Sequence, residues 1–405
     1  MTSASPSLPP SGPAEEGAIP AAVYLLAVAI FAVTTSEFMV AGLMPTLAEA
    51  FSVTTGEIGY LISYFALGMA LGGPLATAAL LAFRIPNKPA LLLMLGLFLV
   101  GSVLAAAAAN YSMMALARIT QGVSSAACFG IAMTICAELV RPELRGRAVS
   151  FVLAGLMLSP VIGVPLMALI SQHFGWQAAF WVIVALAALC MMIVSVGVPT
   201  VRGGAAVNLA SSLAELVNGR LWGAYTTSAL IIGATFAAFS YFSPIFTRLG
   251  GFSSTAIPIL LAAYGVANIV GNLIIGRLAD RFTIPVLIWG LVVLAGALAL
   301  FAIGATDRIL SVAAFLLIGL TGVSLNPAMV SRVMRSAHPG PLVNSLHASM
   351  ITAGLAFGTW GGGYAMEAGY GLRAPLWVGF ALALLGLVSL IPGHLRSATL
   401  GDQSG

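Results

Sequence analysis

Glu37 is the only charged residue in an apolar stretch, Ile19 to Pro45, that is long enough to cross a bilayer. A carboxylate near the middle of a membrane costs on the order of a few kcal/mol, so an uncharged residue would make a better anchor. The position predicts a polar interior in which Glu37 binds a proton, a cation or a substrate. This chemistry indicates transport rather than a passive membrane scaffold.

Arg118 is the partner that the sequence offers to Glu37. It lies in the first third of a predicted helix that runs inward, and Glu37 lies just past the middle of one that runs outward. We therefore expect both at a similar depth, where opposite charges lower each other's insertion cost. Burial and a neighbouring arginine act in opposite directions on the pKa of a carboxylate, which suits uptake and release of a proton. The alternative is a static ion pair that holds two helices together.

Moderately polar and aromatic side chains are expected to share the interior with this pair. Gln121 and Ser125 follow Arg118 at helical spacing and so lie on its face. The predicted residues of the substrate cavity are Phe38, Gln121, Ser125, Thr235, Phe236 and Asn326. Such a mixture suits an amphipathic or lipophilic ligand with a few hydrogen-bonding groups. For each of these side chains taken alone, packing is the simpler explanation.

The composition places these residues in an integral membrane protein. Of the 405 residues, 60% are hydrophobic and 7% are charged, against about 25% charged residues in a soluble domain. The net charge of +4 is too small to indicate a nucleic-acid partner. The cysteines at 128, 136 and 190 lack the spacing of metal ligands or of a disulfide framework. No metal and no cofactor are predicted.

Apolar segments of roughly 20 residues tile nearly the whole chain, as membrane-spanning helices require. They predict an all-α integral membrane fold with twelve transmembrane helices in two six-helix halves, 19–198 and 221–392. The expected helices lie near 19–45, 57–82, 90–109, 112–138, 148–171, 177–198, 221–246, 255–279, 285–305, 309–334, 342–367 and 373–392. The remaining segments are a disordered N-terminal tail (1–18), a polar central loop (199–220) and a C-terminal tail (393–405).

The basic residues are distributed unevenly between the two sets of loops. One set, with the C-terminal tail, carries Arg84, Lys88, Arg141, Arg145, Arg147, Arg202, Arg220, Arg277, Arg281, Arg332, Arg335 and Arg396. The opposite set carries Arg248, Arg308 and Arg373. The positive-inside rule then predicts that both termini and the central loop are cytoplasmic, in a multi-pass protein of the inner (plasma) membrane. We expect a monomer whose partners are the lipid bilayer, protons and a small-molecule substrate.

Three motifs resemble those of drug:proton antiporters of the major facilitator superfamily. The R-x-x-Q-G motif of the fourth helix, whose arginine is implicated in proton transfer, is matched by Arg118-Ile119-Thr120-Gln121-Gly122. The antiporter motif of the fifth helix is similar at Gly155, Ser159, Pro160, Gly163 and Pro165, with Ser159 and Val164 where the family has glycine. The motif between helices 8 and 9 is similar at Gly276, Arg277, Asp280 and Arg281, whereas its first-half counterpart at 83–88 has no aspartate.

A narrower resemblance, to actinobacterial chloramphenicol exporters and arabinose-efflux-like permeases, covers most of the chain. It rests on Thr35-Ser36-Glu37-Phe38-Met39, on Gly233-Ala234-Thr235-Phe236 with Ser243-Pro244, and on Gly371-Leu372-Arg373-Ala374-Pro375-Leu376-Trp377. The resemblance implies a proton-coupled antiporter that exports a small hydrophobic or amphipathic compound, such as chloramphenicol, by alternating access. Glu37 matches the acidic residue of the family's first helix, and Arg118 is expected to tune its proton affinity.

Other functions compete with this prediction. One is an exporter of a sugar or another metabolite with the same fold and the same coupling. Another is a uniporter or channel in which Glu37 has a structural role only. A membrane enzyme would need a nucleophile, metal ligands or paired carboxylates that face each other, and the sequence offers none of these. We therefore predict that the chain is not an enzyme.

Overall fold

Helices make up nearly all of the chain that the structure describes. The computed structural model describes residues 19–141, 144–199, 218–336 and 341–390, and no strand occurs within these ranges. The predicted tails at 1–18 and 393–405 and nearly all of the central loop lie outside them. Ten helical segments of the described ranges are long and apolar enough to cross a membrane. Two further helices, Pro341–Ala365 and Ala374–Val388, complete the twelve of the predicted all-α fold, which is confirmed.

Six helical spans, α1 to α6, form the first half. Two of them contain a π-helical turn, at Gly68–Gly72 in α2 and at Ser159–Gly163 in α5. The spans are α1 (Ala21–Phe51), α2 (Thr55–Leu67 and, after the turn, Gly73–Ala82), α3 (Asn87–Ala106), α4 (Tyr111–Glu138), α5 (Arg145–Leu158 and Val164–Phe174) and α6 (Trp176–Gly197).

Six more spans, α7 to α12, form the second half. They are α7 (Gly219–Phe239 and Phe242–Arg248), α8 (Ser254–Ala279), α9 (Arg281–Ile303), α10 (Arg308–Thr321 and Asn326–Ser336), α11 (Pro341–Ala365 with a π-helical turn, Met366–Tyr370) and α12 (Ala374–Val388). The two segments of α10 are joined by a 3₁₀ turn, Val323–Leu325. At the start of α9, Phe282 leaves the helical conformation, with φ −126° and ψ 42°.

Side-chain caps start the helices at the end of the bundle that the charge distribution assigns to the outside. Thr54 and Glu57 form a reciprocal capping box at the start of α2. Asn110 accepts from Met113 N at the start of α4, and Asp307 accepts from two backbone N–H groups at the start of α10. Each cap satisfies N–H groups that a helix start leaves without an intrahelical partner. These helix starts follow the turns after α1, α3 and α9. The end of the bundle that carries these turns is called the predicted outer end below.

The first helix is longer than the sequence indicates. The sequence predicts a helix near 19–45, and a proline inside a helix removes one backbone hydrogen bond. Instead α1 continues through Pro45 to Phe51 and ends at Ser52, whose left-handed backbone (φ 54°) returns its N–H to Ala48 O and Glu49 O. Most side chains on both sides of Pro45 are buried, so tertiary packing outweighs the loss of one helical hydrogen bond.

The two halves are joined at the predicted outer end. Thr54 and Tyr60 of the first half donate to Glu367 of α11, and Gln172 Nε2 of α5 donates to the carbonyl oxygen of Ser254 at 2.6 Å. These are the hydrogen bonds that join the halves within the described ranges.

Close approach of helices inside the first half gives a direct test of this packing. At Gly122 of α4 a Cβ atom would overlap the carbonyl oxygen of Phe65 in α2, whereas Gly130 of the same helix has open space at this position. We predict that Gly122→Ala lowers the stability by about 1–3 kcal/mol, the usual cost of overpacking. Thermal unfolding of the purified protein measures the change. Gly130→Ala is the matched control, and an equal effect of both substitutions would contradict the predicted contact.

Candidate functional site

Glu37 lies near the middle of α1 and faces the interior of the bundle. The residues one turn before and after it, Val33, Thr34, Val40 and Ala41, are all buried. The Glu37 side chain itself is only partly buried. Because its surroundings on the same helix face are covered by protein, this face of α1 points into the bundle and not toward lipid. A carboxylate at this place can exchange a proton or contact a ligand.

Arg118 is fully buried, with 0% of its side chain exposed, and it donates to atoms of α1. Its Nη1 donates to the carbonyl oxygen of Ser36 at 2.9 Å, and its Nη2 donates to the carbonyl oxygen of Glu37 at 3.0 Å. The expected partnership therefore takes a different form from a carboxylate–guanidinium pair. The guanidinium bonds to the backbone carbonyl of Glu37 and not to its carboxylate.

Backbone carbonyls suit a buried guanidinium because the planar fork of N–H donors can reach two neighbouring acceptors at once. In α1 the acceptors are carbonyl groups of the turn that carries Glu37. The guanidinium also lies over the ring of Phe65, with Cζ 4.2 Å from the ring centroid, a favourable cation–π arrangement. As a result, Arg118 is held without using the carboxylate oxygens of Glu37.

Gln121 supports Arg118 rather than lining an open cavity in this conformation. It is fully buried, accepts from Arg118 Nη1 at its Oε1 (3.0 Å) and donates from Nε2 to Ser102 Oγ at 3.1 Å. Ser102 in turn donates to the carbonyl oxygen of Phe98 at 2.7 Å. This chain of bonds fixes the orientation of Gln121 from α3. Ser102 and Phe65 escaped the sequence analysis, since nothing in their local sequence distinguishes them from packing residues.

The aromatic residues expected in the cavity meet across the two halves. Phe38, next to Glu37, stacks on Phe236 of α7 with ring centroids 5.6 Å apart and meets Phe239 edge-on at 6.3 Å. Phe236 is buried and Phe38 is partly exposed. The structure thus brings the predicted aromatic pair together at the boundary of the two halves, in the turn of α1 that carries Glu37.

The polar residues expected in the cavity are less uniformly placed. Thr235 is fully buried and donates to the carbonyl oxygen of Ile231 at 2.9 Å. Ser125 is also buried, and its hydroxyl has no hydrogen-bond partner in the structure. Asn326 is partly exposed, at the start of the last segment of α10. Of these three, Asn326 alone retains appreciable exposure.

The antiporter motif forms the contact of α5 with α1 and α8. Gly155 lies against the carbonyl oxygen of Ala27, and Gly163 lies against the Thr35 side chain. Thr35 Oγ1 donates to Ser159 Oγ at 3.1 Å, so the serine that replaces a family glycine bonds to the helix of Glu37.

On the other side of α5, a Cβ atom at Gly265 of α8 would come within 2.8 Å of the backbone of Pro160. Pro165 is buried in the first turn after the π-helical turn. The π-helical turn of α5 therefore lies between the Glu37 helix and the second half.

The motif between α8 and α9 has a different backbone from the expected one. Gly276 to Arg281 are helical, and the loop that was predicted there shortens to the single non-helical residue Phe282. Arg277 and Arg281 are exposed, and the Arg281 guanidinium lies 5.2 Å from the Phe282 ring centroid. Gly276 has only the edge of Pro327, 4.0 Å away, beside it. The side chain of Asp280 lies outside the described part of the structure.

His347 of α11 bonds to a neighbouring helix. Its Nε2 lies 2.9 Å from Ser228 Oγ of α7. Its ring stacks on Tyr225 at 5.8 Å, and the Tyr225 hydroxyl donates to the carbonyl oxygen of Val343 at 2.7 Å. This cluster ties α7 to α11.

Comparison with known proteins supports the same architecture. The chloramphenicol resistance protein of Streptomyces lividans is 32% identical over 387 residues, covering 92% of this chain and 96% of that protein. The uncharacterized MFS-type transporter YtbD of Bacillus subtilis is 30% identical over 375 residues, covering 91% and 94%. A solved structure of a bacterial homologue of the human lysosomal transporter Spinster, inward-facing and occupied, has a TM-score of 0.73 at 15% identity and covers 91% of this chain and 95% of its own.

The family model described as Major Facilitator Superfamily matches residues 26–340 and 250–399, which together span nearly the whole chain. The members of this family are membrane transporters and not enzymes, as the sequence analysis predicted. The twelve-helix arrangement and the high similarity to MFS-type relatives agree with this match. The chain therefore belongs to the Major Facilitator Superfamily and is a multi-pass membrane transporter.

Proposed function

We propose that this transporter is a proton-coupled antiporter, which exports a small hydrophobic or amphipathic compound by alternating access. The observation that carries the proposal is the state of Glu37. Its side chain is partly exposed near the middle of α1 among residues that are themselves buried, while the adjacent Arg118 bonds to backbone carbonyls of α1 and to Gln121. Intramembrane carboxylates of this kind mark proton and ion pathways.

The arrangement gives Glu37 two competing occupants. Its oxygens are free to bind a proton, or to meet a polar group of a substrate that enters the same space. The charge of Arg118 acts on the carboxylate through a short distance, so a small shift of α4 relative to α1 changes its proton affinity. Exchange then follows when the substrate and the proton cannot occupy Glu37 together.

An aromatic wall beside Glu37 favours a lipophilic or amphipathic cargo. Phe38, the residue that follows Glu37, stacks on Phe236 of the other half. Ligand sites of this kind combine apolar walls with a few polar groups that fix orientation. The similarity to a chloramphenicol resistance protein makes chloramphenicol the first compound to test.

We further propose that both termini are cytoplasmic and that the outward step is export. The uneven distribution of Lys and Arg supports this orientation. In the described structure the halves are bonded at the predicted outer end, so the substrate would enter from the cytoplasm in this conformation.

Transport by purified protein in liposomes tests the coupling. With an imposed pH gradient, we expect accumulation of chloramphenicol, and we expect Glu37→Gln to abolish the dependence on the gradient because the amide cannot carry a proton. Glu49→Gln is the matched control, since Glu49 is exposed in the last turn of α1. Full gradient-driven transport by Glu37→Gln would refute the role of Glu37, and transport of a sugar but not of chloramphenicol would identify a different cargo.

The hydrogen-bond geometry of Arg118 is tested by a substitution that keeps the charge. Arg118→Lys retains a cation but cannot reach the Ser36 and Glu37 carbonyls and Gln121 with one planar fork. We predict at least about a tenfold loss of gradient-driven transport, equivalent to about 1.4 kcal/mol, together with a shifted pH profile. Initial rates in liposomes over a range of pH measure both.

Arg220→Lys is the control for this experiment, because Arg220 is exposed at the start of α7. Comparable expression and thermal stability of both variants would show that the loss concerns transport and not folding. An unchanged rate and pH profile in Arg118→Lys would mean that charge alone suffices and that the backbone bonds have no functional role.

A further inference from the structure

A carboxylate other than Glu37 connects the two halves at the predicted outer end. Glu367, in the π-helical turn of α11, accepts from Thr54 Oγ1 at Oε1 (3.0 Å) and from Tyr60 OH at Oε2 (2.7 Å). Thr54 caps α2, and Tyr60 lies in the second turn of the same helix. Both oxygens of one carboxylate in the second half are thus occupied by hydroxyl donors of the first half.

The local geometry leaves these hydroxyl protons available for Glu367. Thr54 Oγ1 accepts from Glu57 N at 3.0 Å, and the Glu57 carboxylate accepts from Thr54 N at 2.8 Å. The capping box therefore uses the lone pairs of the threonine hydroxyl and the backbone N–H, but not the hydroxyl proton. A hydrogen bond from a hydroxyl to an ionised carboxylate is stronger than one between neutral groups.

Packing beneath these bonds brings the helices close enough to form them. A Cβ atom at Gly56 of α2 would lie 3.0 Å from Glu367 Cγ and from the carbonyl oxygen of Gly363 in α11. The Tyr241 side chain fills the space over Gly59 and donates to the carbonyl oxygen of Thr359 at 2.7 Å. The bonds to Glu367 lie at the exposed edge of this tightly packed contact.

We propose that Thr54, Tyr60 and Glu367 form an outer latch, which holds the two halves closed at the predicted outer end. In the state that is open at the outer end, alternating access requires the two halves to separate at this contact. Thr54 and Tyr60 belong to the first half and Glu367 to the second, so their hydrogen bonds must then break. The bonds consequently exist in one state only and shift the equilibrium toward that state. Glu367 sets the proportion of closed molecules without contacting the substrate space around Glu37.

Distances between spin labels test the latch in the full-length protein. Ala50→Cys and Thr306→Cys place labels at exposed positions on the outer ends of the first and second half. The native cysteines are buried and are replaced by serine. Double electron–electron resonance in lipid nanodiscs then gives the ratio of open to closed molecules.

We expect Tyr60→Phe and Glu367→Ala each to raise the ratio of open to closed molecules, by about three- to tenfold for loss of one or two hydrogen bonds. Combining them should give no more than Glu367→Ala alone, because both remove the same bond. Tyr364→Phe and Glu49→Gln, which alter exposed groups at the same end, should leave the ratio unchanged.

An unchanged ratio in Tyr60→Phe and Glu367→Ala, or additive shifts in the combined variant, would overturn the latch. Tyr60→Phe keeps the ring and its packing, so it remains informative if Glu367→Ala folds poorly. The measurement needs neither a substrate nor a proton gradient. Its outcome is therefore independent of whether the transporter is an antiporter.

Discussion

The fully buried guanidinium of Arg118 is the constraint on which the interior of the first half depends. A buried cation that lost its hydrogen bonds would destabilise the fold strongly. Both terminal nitrogens of Arg118 therefore need acceptors that stay in place, whereas its Nε has none among the described residues. Carbonyl groups of α1, the amide of Gln121 and the ring of Phe65 supply them. Three helices, α1, α2 and α4, are thereby assembled around one side chain, and α3 joins them through Ser102.

The consequence for Glu37 is that its carboxylate lies near a cation but is not tied to it by a hydrogen bond. A bidentate ion pair would hold the carboxylate in its charged form and fasten α1 to α4. Binding through the backbone leaves both oxygens available and still allows the charge of Arg118 to act on them. Because Phe38 brings α7 to the same place, a change at Glu37 acts at the boundary between the halves.

Much of the fold and part of the site could be predicted from sequence. An isolated acid in an apolar stretch, a basic residue at matching depth and the one-sided distribution of arginines are local or additive signals. The acceptors of Arg118 were missed because a sequence does not show whether a buried arginine bonds to the side chain or to the backbone carbonyl of a neighbouring residue. The bonds from Thr54 and Tyr60 to Glu367 join positions about 300 residues apart, where local patterns carry no information. The first helix extends past its predicted end because the burial of the residues around Pro45 depends on the other helices.

The central claim is that the Glu37 carboxylate exchanges a proton against the substrate. Its most direct test is proton release in lightly buffered detergent solution, followed with a pH dye while chloramphenicol, or whichever compound the transport assay identifies, is added. The account predicts release of about one proton per wild-type molecule on saturation, as linkage requires when the two ligands exclude each other. It predicts no release from Glu37→Gln. Equal release from both proteins would contradict it.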